Sequence, residues 1–238
     1  MASSWPVLLH GETDTATPVP ASPRNTLDEA TIKALDADAW PVREAATFRL
    51  LRDETLTPDA IAKVFGQKLS AEQRLRLMQV AEHHLIRVMA KRVVAVPTTA
   101  SLGVALEWLV PEEVAELGRP GTRVEATLPG FPAFGVLQPG DLIYALNSKG
   151  IDPAVMGEAM VHEMRDMIQQ YQAGDTVELT ILRDGQPRQL KVTLGSLDAM
   201  RTLYEPDTLV LQPLAAKEWA RFREGLVGES PTKPSPKQ

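Results

Sequence analysis

Histidine is the first residue type to weigh for chemistry, because imidazole can act as base, nucleophile or metal ligand near neutral pH. The chain has four: His10, His83, His84 and His162. His10 lies in a stretch of Thr, Pro, Ala and Ser with little apolar periodicity. His83 and His84 are adjacent on a helical pattern and must project in different directions, since neighbours on a helix face are three or four residues apart. No His-Glu-x-x-His zinc pattern occurs, and His162-Glu163 reads as a polar helix face. Cysteine is absent, which excludes a disulfide framework, thiolate zinc sites, iron–sulfur ligation and a cysteine nucleophile. Serine offers no better nucleophile: there is no Gly-x-Ser-x-Gly context, and Ser148-Lys149 are adjacent strand-end residues whose side chains point apart. No glycine-rich phosphate loop follows a strand. The chain is therefore expected to be non-enzymatic, with no metal and no cofactor.

What remains for such a chain is binding, and composition narrows the partners. The formal charge of −6 argues against a general nucleic-acid binder, which would show a basic face. No run of about 18 apolar residues occurs, so no membrane-spanning helix is expected. The short apolar patch Trp5 to Leu9 lacks a preceding basic segment and is not an intact signal peptide. That leaves a cytoplasmic protein or an exported one without its leader. At 238 residues and 44% hydrophobic, the chain can bury one large or two modest cores without a staple.

The elements that would position a binding site change period near Pro97, from helix-like spacing before it to strand-and-turn spacing after it. Leu27, Ile32 and Leu35 fit a first helix. Asp38 is placed to cap a second, with an inner face of Val42, Ala45, Ala46, Leu50 and Phe48. Thr57-Pro58 opens a third with Ile61 and Val64, and Ser70 with Gln73 forms a capping box for a long fourth carrying Leu75, Met78, Ala81, Leu85, Val88 and Met89. Beyond Pro97 come Leu102–Leu106, a strand Thr122–Leu128, a turn Gln138–Asp141, a strand Leu142–Asn147 and a helix from about Pro153 to Gln172. A strand Thr176–Leu182, an Asp184-Gly185 hairpin turn and a strand Gln189–Leu194 follow. The expected organisation is a disordered leader 1–25, a helical domain 26–96, a mostly antiparallel barrel-like domain 97–196, an extension 197–227 and a disordered tail 228–238. The fold class is α+β. In the extension, Leu214, Trp219 and Phe222 mark a helix expected to pack back on either domain, and Gln238 makes the chain's own tail a poor apolar ligand.

Two resemblances add to this reading. Asp36–Leu51, with Val42-Arg43-Glu44-Ala45-Ala46 after an acidic turn, resembles one HEAT-type repeat unit, with an ordinary amphipathic helix in a small bundle as the alternative. More specific is the order Leu102-Gly103-Val104, Phe131-Pro132-Ala133, Leu137-Gln138-Pro139-Gly140-Asp141-Leu142-Ile143, Asn147, Gly174-Asp175-Thr176-Val177 and Leu182-Arg183-Asp184-Gly185. Together these resemble a bacterial PDZ domain of the HtrA/Deg type over about Thr98 to Gly195.

The resemblance implies a peptide groove. Leu102, Gly103 and Val104 would form the loop whose amides take a terminal carboxylate, with Gly103 removing a Cβ where N–H groups converge. The strand after it, with Ala105 and Leu106, would accept a peptide as an added strand. Met164, Met167, Ile168 and Tyr171 would line the helical wall, and Met160, Met164 and Met167 would suit a deformable pocket. The competing reading of that stripe is plain core. Two features depart from the family pattern: Asn147-Ser148-Lys149-Gly150 replaces Asn-Gly, and the segment Asp152 to Glu163 is long. Glu112, Glu113 and Glu116 form either an acidic rim favouring a basic ligand residue or a solvated helix face.

Such a domain normally follows a serine protease domain, but the segment ahead of Pro97 is too short and too helical for one. The expected function is a non-enzymatic adaptor binding a hydrophobic C-terminus or extended segment. Its rivals are a substrate-recognition subunit of a separate protease and a structural protein with an occluded groove. An extracytoplasmic location is slightly favoured by the resemblance alone.

Overall fold

The computed structural model describes residues 23–93, 98–205 and 208–228. The leader, the boundary at Pro97 and the tail lie wholly or largely outside the described residues. Helices α1 (Glu29–Ala34), α2 (Trp40–Arg52), α3 (Pro58–Phe65) and α4 (Ala71–Val93) come first. Local chemistry sets their starts. Asp28 accepts from the Thr31 amide, Thr57 accepts from Ala60, and Ser70 and Gln73 exchange side-chain to backbone hydrogen bonds at 2.9 and 3.1 Å.

Two expectations for these helices need correction. The cap of α2 is Ala39 rather than Asp38 and makes no side-chain hydrogen bond; the backbone carbonyls of Ala37 and Asp38 instead receive Arg43. The buried faces are also rotated. In α2, Ala46, Thr47, Leu50 and Leu51 face inward while Val42 is exposed, and in α4 Leu75 is exposed while Leu77, Val80, His83, His84 and Ile86 are buried. Thr47 tolerates burial because its hydroxyl donates to the Arg43 carbonyl and accepts from Arg76, which also pairs with Glu44 and Glu72. Helix α4 buries more than one stripe because α2, α3, α7 (Leu197–Leu203) and α8 (Pro213–Gly228) all contact it.

The second half contains β1 (Ala100–Ser101), β2 (Val104–Trp108), α5 (Pro111–Leu117), β3 (Thr122–Thr127), β4 (Leu142–Leu146), β5 (Lys149–Gly150), α6 (Glu158–Gln169), β6 (Thr176–Arg183), β7 (Gln186–Thr193) and β8 (Gly195–Ser196). The main sheet runs β2-β3-β4-β6-β7, antiparallel throughout, with β5 hanging on β4; β1 pairs separately with β8. The β6–β7 hairpin closes through Asp184 and Gly185, both at positive φ (52° and 70°), the geometry whose twist matches the flanking strands. The Gln138–Asp141 turn is clamped by a bidentate Arg183–Asp141 pair at 2.6 and 2.7 Å, with Asp141 1% exposed and its carboxylate also accepting the Gln138 amide.

Three cores follow. One lies between the sheet and α6, around Leu102, Val124, Ile143, Met164 and Leu179. A second fills the helical bundle around Leu35, Leu50, Ile61 and Leu77, and α8 joins it through Trp219, Phe222 and Leu226. The third joins the halves: Ile86 and Met89 of α4 meet Leu128, Phe131, Leu203, Tyr204 and Ala215. At that junction the Gly130 amide donates to His83 Nδ1 (2.9 Å), and the His83 ring stacks on Phe134. A Cβ on Gly130 would sit 2.5 Å from Ile86 Cγ2, so this approach requires glycine. Thus Phe131-Pro132-Ala133-Phe134 sends Ala133 into the sheet core, Phe131 into the joint and Phe134 into the bundle.

Candidate functional site

Strand β2 is an edge strand, hydrogen-bonded on one side to β3. An edge presents unpaired backbone donors and acceptors. Helix α6 packs alongside it, and between the two runs a groove of about 450 Å3, within the size range of ordinary binding sites. Ala100 to Leu106 line one wall; Arg165, Ile168 and Gln169 of α6 line the other.

The sequence-predicted residues distribute unevenly over this groove. Leu102, Gly103, Val104, Ala105, Leu106 and Ile168 all line it. Met164 and Met167 do not; they are 0% and 3% exposed and belong to the core beneath, with Met160. Tyr171 lies past the end of α6, where its hydroxyl accepts from Asn147 Nδ2, and Asn147 Oδ1 in turn accepts the Glu178 amide. Tyr171 is therefore tied to the turn after β4 rather than to the groove lining.

The loop itself differs from the expected cradle. The Gly103 amide donates to Ser101 Oγ at 3.1 Å, and the Ser101 hydroxyl donates to Met200 Sδ at 3.3 Å. The donor that was expected to face a ligand is thus engaged within the loop. Glycine is required here for another reason. Its φ is +69°, and an added Cβ would lie 2.2 Å from Phe131 Cβ, so the loop rests directly on the joint between the halves.

Sequence reasoning missed the other end of the groove. Leu197, Met200 and Arg201 of α7, together with Leu209, form part of its lining. The methionine at the groove is thus Met200, outside the expected stripe. Leu209 holds φ +53°, uncommon for a bulky residue, its amide donating to the Glu205 carbonyl at 2.8 Å. Glu125 was missed as well. Ala105 pairs with Ala126 and Leu106 with Val124, leaving Glu125 as the extra residue of a β-bulge, which delivers its side chain to the groove. No sequence pattern announces a bulge at this position. The acidic run on α5 lies outside the lining: the Val110 amide, which donates to Glu113, and then the paired Arg123 hold the Glu113 carboxyl below the usual range.

His83 and His84 serve packing. His84 Nε2 lies 2.8 Å from the Leu50 carbonyl, and His162 is exposed, 3.7 Å from Glu158. Burial is the main cause that depresses both interior imidazoles, His83 to about 3 and His84 to about 4. Among the described residues no group of three His, Cys, Asp or Glu side chains could hold a metal.

No family model matches the chain. Over 105 residues, 42% of this chain, it is 37% identical to a probable periplasmic serine endoprotease, DegP-like, of Ectopseudomonas mendocina (strain ymp), spanning 20% of that protein. Solved structures that match part of the chain include an HtrA-type protease AlgW with decapeptide (26% identity, TM-score 0.32, covering 41% of this chain and 29% of that one). Another is the serine endoprotease from Yersinia pestis (22% identity, TM-score 0.31, covering 42% and 29%). About two-fifths of the chain is therefore homologous to HtrA/DegP-like proteins, consistent with an HtrA-like PDZ segment, and it spans about a fifth of the curated relative's length. None of these comparisons supports a HEAT-type repeat in the helical part.

Proposed function

We propose that this protein is a non-enzymatic adaptor whose PDZ-like groove binds a hydrophobic C-terminus or an extended segment by β-strand addition. The observation that supports this best is the open groove between the edge strand β2 and α6, lined by backbone on one side and by Ile168 and Gln169 on the other. Affinity is expected to be modest, since an added strand exchanges water hydrogen bonds for protein ones and the peptide must be ordered. The four-helix part packs with α8 and meets the groove loop through Phe131.

The homology to a periplasmic endoprotease favours one second reading, a substrate-recognition subunit that works with a separate protease chain. It also favours an extracytoplasmic location. No helix among the described residues is long and apolar enough to cross a membrane. A self-occluded groove is less well supported, because neither α5 nor α8 contributes to the lining.

The test is selection from a randomised peptide library on the wild-type protein and on Gln169→Trp. Gln169 is exposed and lines the groove, so the indole fills the groove without disturbing the core. Peptides selected on the wild type should lose about tenfold or more in affinity for the variant. Unchanged binding would place the ligand elsewhere and end the groove reading. Hydrolysis on mixing with a candidate protease would favour the subunit reading instead.

A further inference from the structure

We infer that the helix following the sheet domain, α7, is part of the binding site: Arg201 supplies the positive charge that holds a ligand's terminal carboxylate, in place of the loop amide that Gly103 has already committed. This rests on the groove reading above. The expected carboxylate site is a set of backbone donors at Leu102, Gly103 and Val104, and the Gly103 donor is spent on Ser101 Oγ. The same hydroxyl is bonded to Met200 Sδ, and Arg201 lines the same groove as Ser101, Leu102, Gly103 and Val104. Arg201 is exposed, lines the groove, and makes no ion pair or side-chain hydrogen bond among the described residues.

A guanidinium suits this task. It stays charged, and its planar fork meets both oxygens of a carboxylate. Leu197 and Leu209 add apolar wall at the same end of the groove, so the ligand class is a chain ending in an apolar residue with a free carboxylate. Glu125, delivered into the lining by the bulge in β3, disfavours a carboxylate further along the groove and so reinforces the polarity of the ligand. Helix α7 is also packed on α4, so the bundle supports this end of the site from behind.

The experiment uses the full chain and peptides carrying a Gly-Ser linker and five randomised positions, each prepared with a free carboxylate and as the carboxamide. The best free-acid binder is then titrated against wild type, Arg201→Gln, Arg201→Lys and Arg165→Gln. Arg201→Gln should weaken the free acid about tenfold and the carboxamide less than twofold, with partial recovery in Arg201→Lys. Arg165→Gln should change the acid-to-amide ratio little. Equal losses for acid and amide, or no loss in Arg201→Gln, would overturn the role of Arg201. Failure of every peptide to bind the wild type would overturn the groove reading itself, before Arg201 enters.

Discussion

Acid should unfold this protein through its buried histidine pair. His83 and His84 are 3% and 0% exposed, and burial, reinforced at both by Arg87 and at His83 also by His84, lowers them to about 3 and about 4. In the unfolded chain a histidine titrates near its ordinary 6.5, so between pH 6.5 and 4 the unfolded state binds protons that the folded state refuses. The stabilisation is thus fully present above pH 6.5 and is lost as pH falls toward the folded values. Each histidine contributes a slope approaching 1.4 kcal/mol per pH unit, which amounts to about 2 kcal/mol from pH 7 to 5 and about 4 kcal/mol for the pair. That is a large fraction of a typical 5–15 kcal/mol total. Glu82 works in the other direction, since burial raises its pKa, while the lowered carboxyls of Asp28 and Asp53 add to the loss only in more acidic solution. The assay is urea unfolding at pH 7.5, 6 and 5, followed by fluorescence of the tryptophans, including Trp219 in the bundle core. His83→Gln keeps an acceptor for the Gly130 amide, and the double variant with His84→Gln should flatten the profile. A double variant that loses stability with acid as steeply as the wild type would refute the assignment.

Two further substitutions test the frame of the groove. Gly103→Ala should cost about 2–4 kcal/mol from the left-handed backbone and the contact with Phe131. In a Phe131→Gly background, which removes both the Cβ and the ring that the new methyl would meet, the same change should cost less, and strictly additive losses in denaturant titrations would contradict the steric account. Asp141→Ala should cost about 3–5 kcal/mol by leaving Arg183, whose side chain is 14% exposed, without its partner. Adding Arg183→Leu should recover part of that, and a double variant no more stable than Asp141→Ala would show that the pair is not the source.

Much of the fold was legible because the signals were local. Thr57-Pro58, the Ser70 and Gln73 box and the Asp184-Gly185 turn act within three or four residues, and each stands where its chemistry puts it. The phase of α2 and α4 was not legible, because a helix contacted on several sides buries more than one stripe, and a polar Thr47 or His84 can replace an apolar residue once it is hydrogen-bonded. In the site, residues 102–106 were legible from the loop and the strand after it, and Ile168 from helical spacing. The methionine stripe could not be divided between groove and core by spacing alone, since Met164 and Ile168 share a helix face but differ in what overlies them.

The amino-acid sequence alone determined the α+β class, the change from helices to strands along the chain, the absence of a thiol and the resemblance that located a groove. It could do so because backbone turns, caps and alternation depend on neighbours in the chain. Only the tertiary structure decided that α7 and Leu209 complete that groove, that Gly103 spends its amide on Ser101, and that Phe131 and His83 lock the two halves together. Those contacts join residues such as Ser101 and Met200, or His83 and Gly130, far apart in the chain, and their energies arise only once packing has excluded water between them.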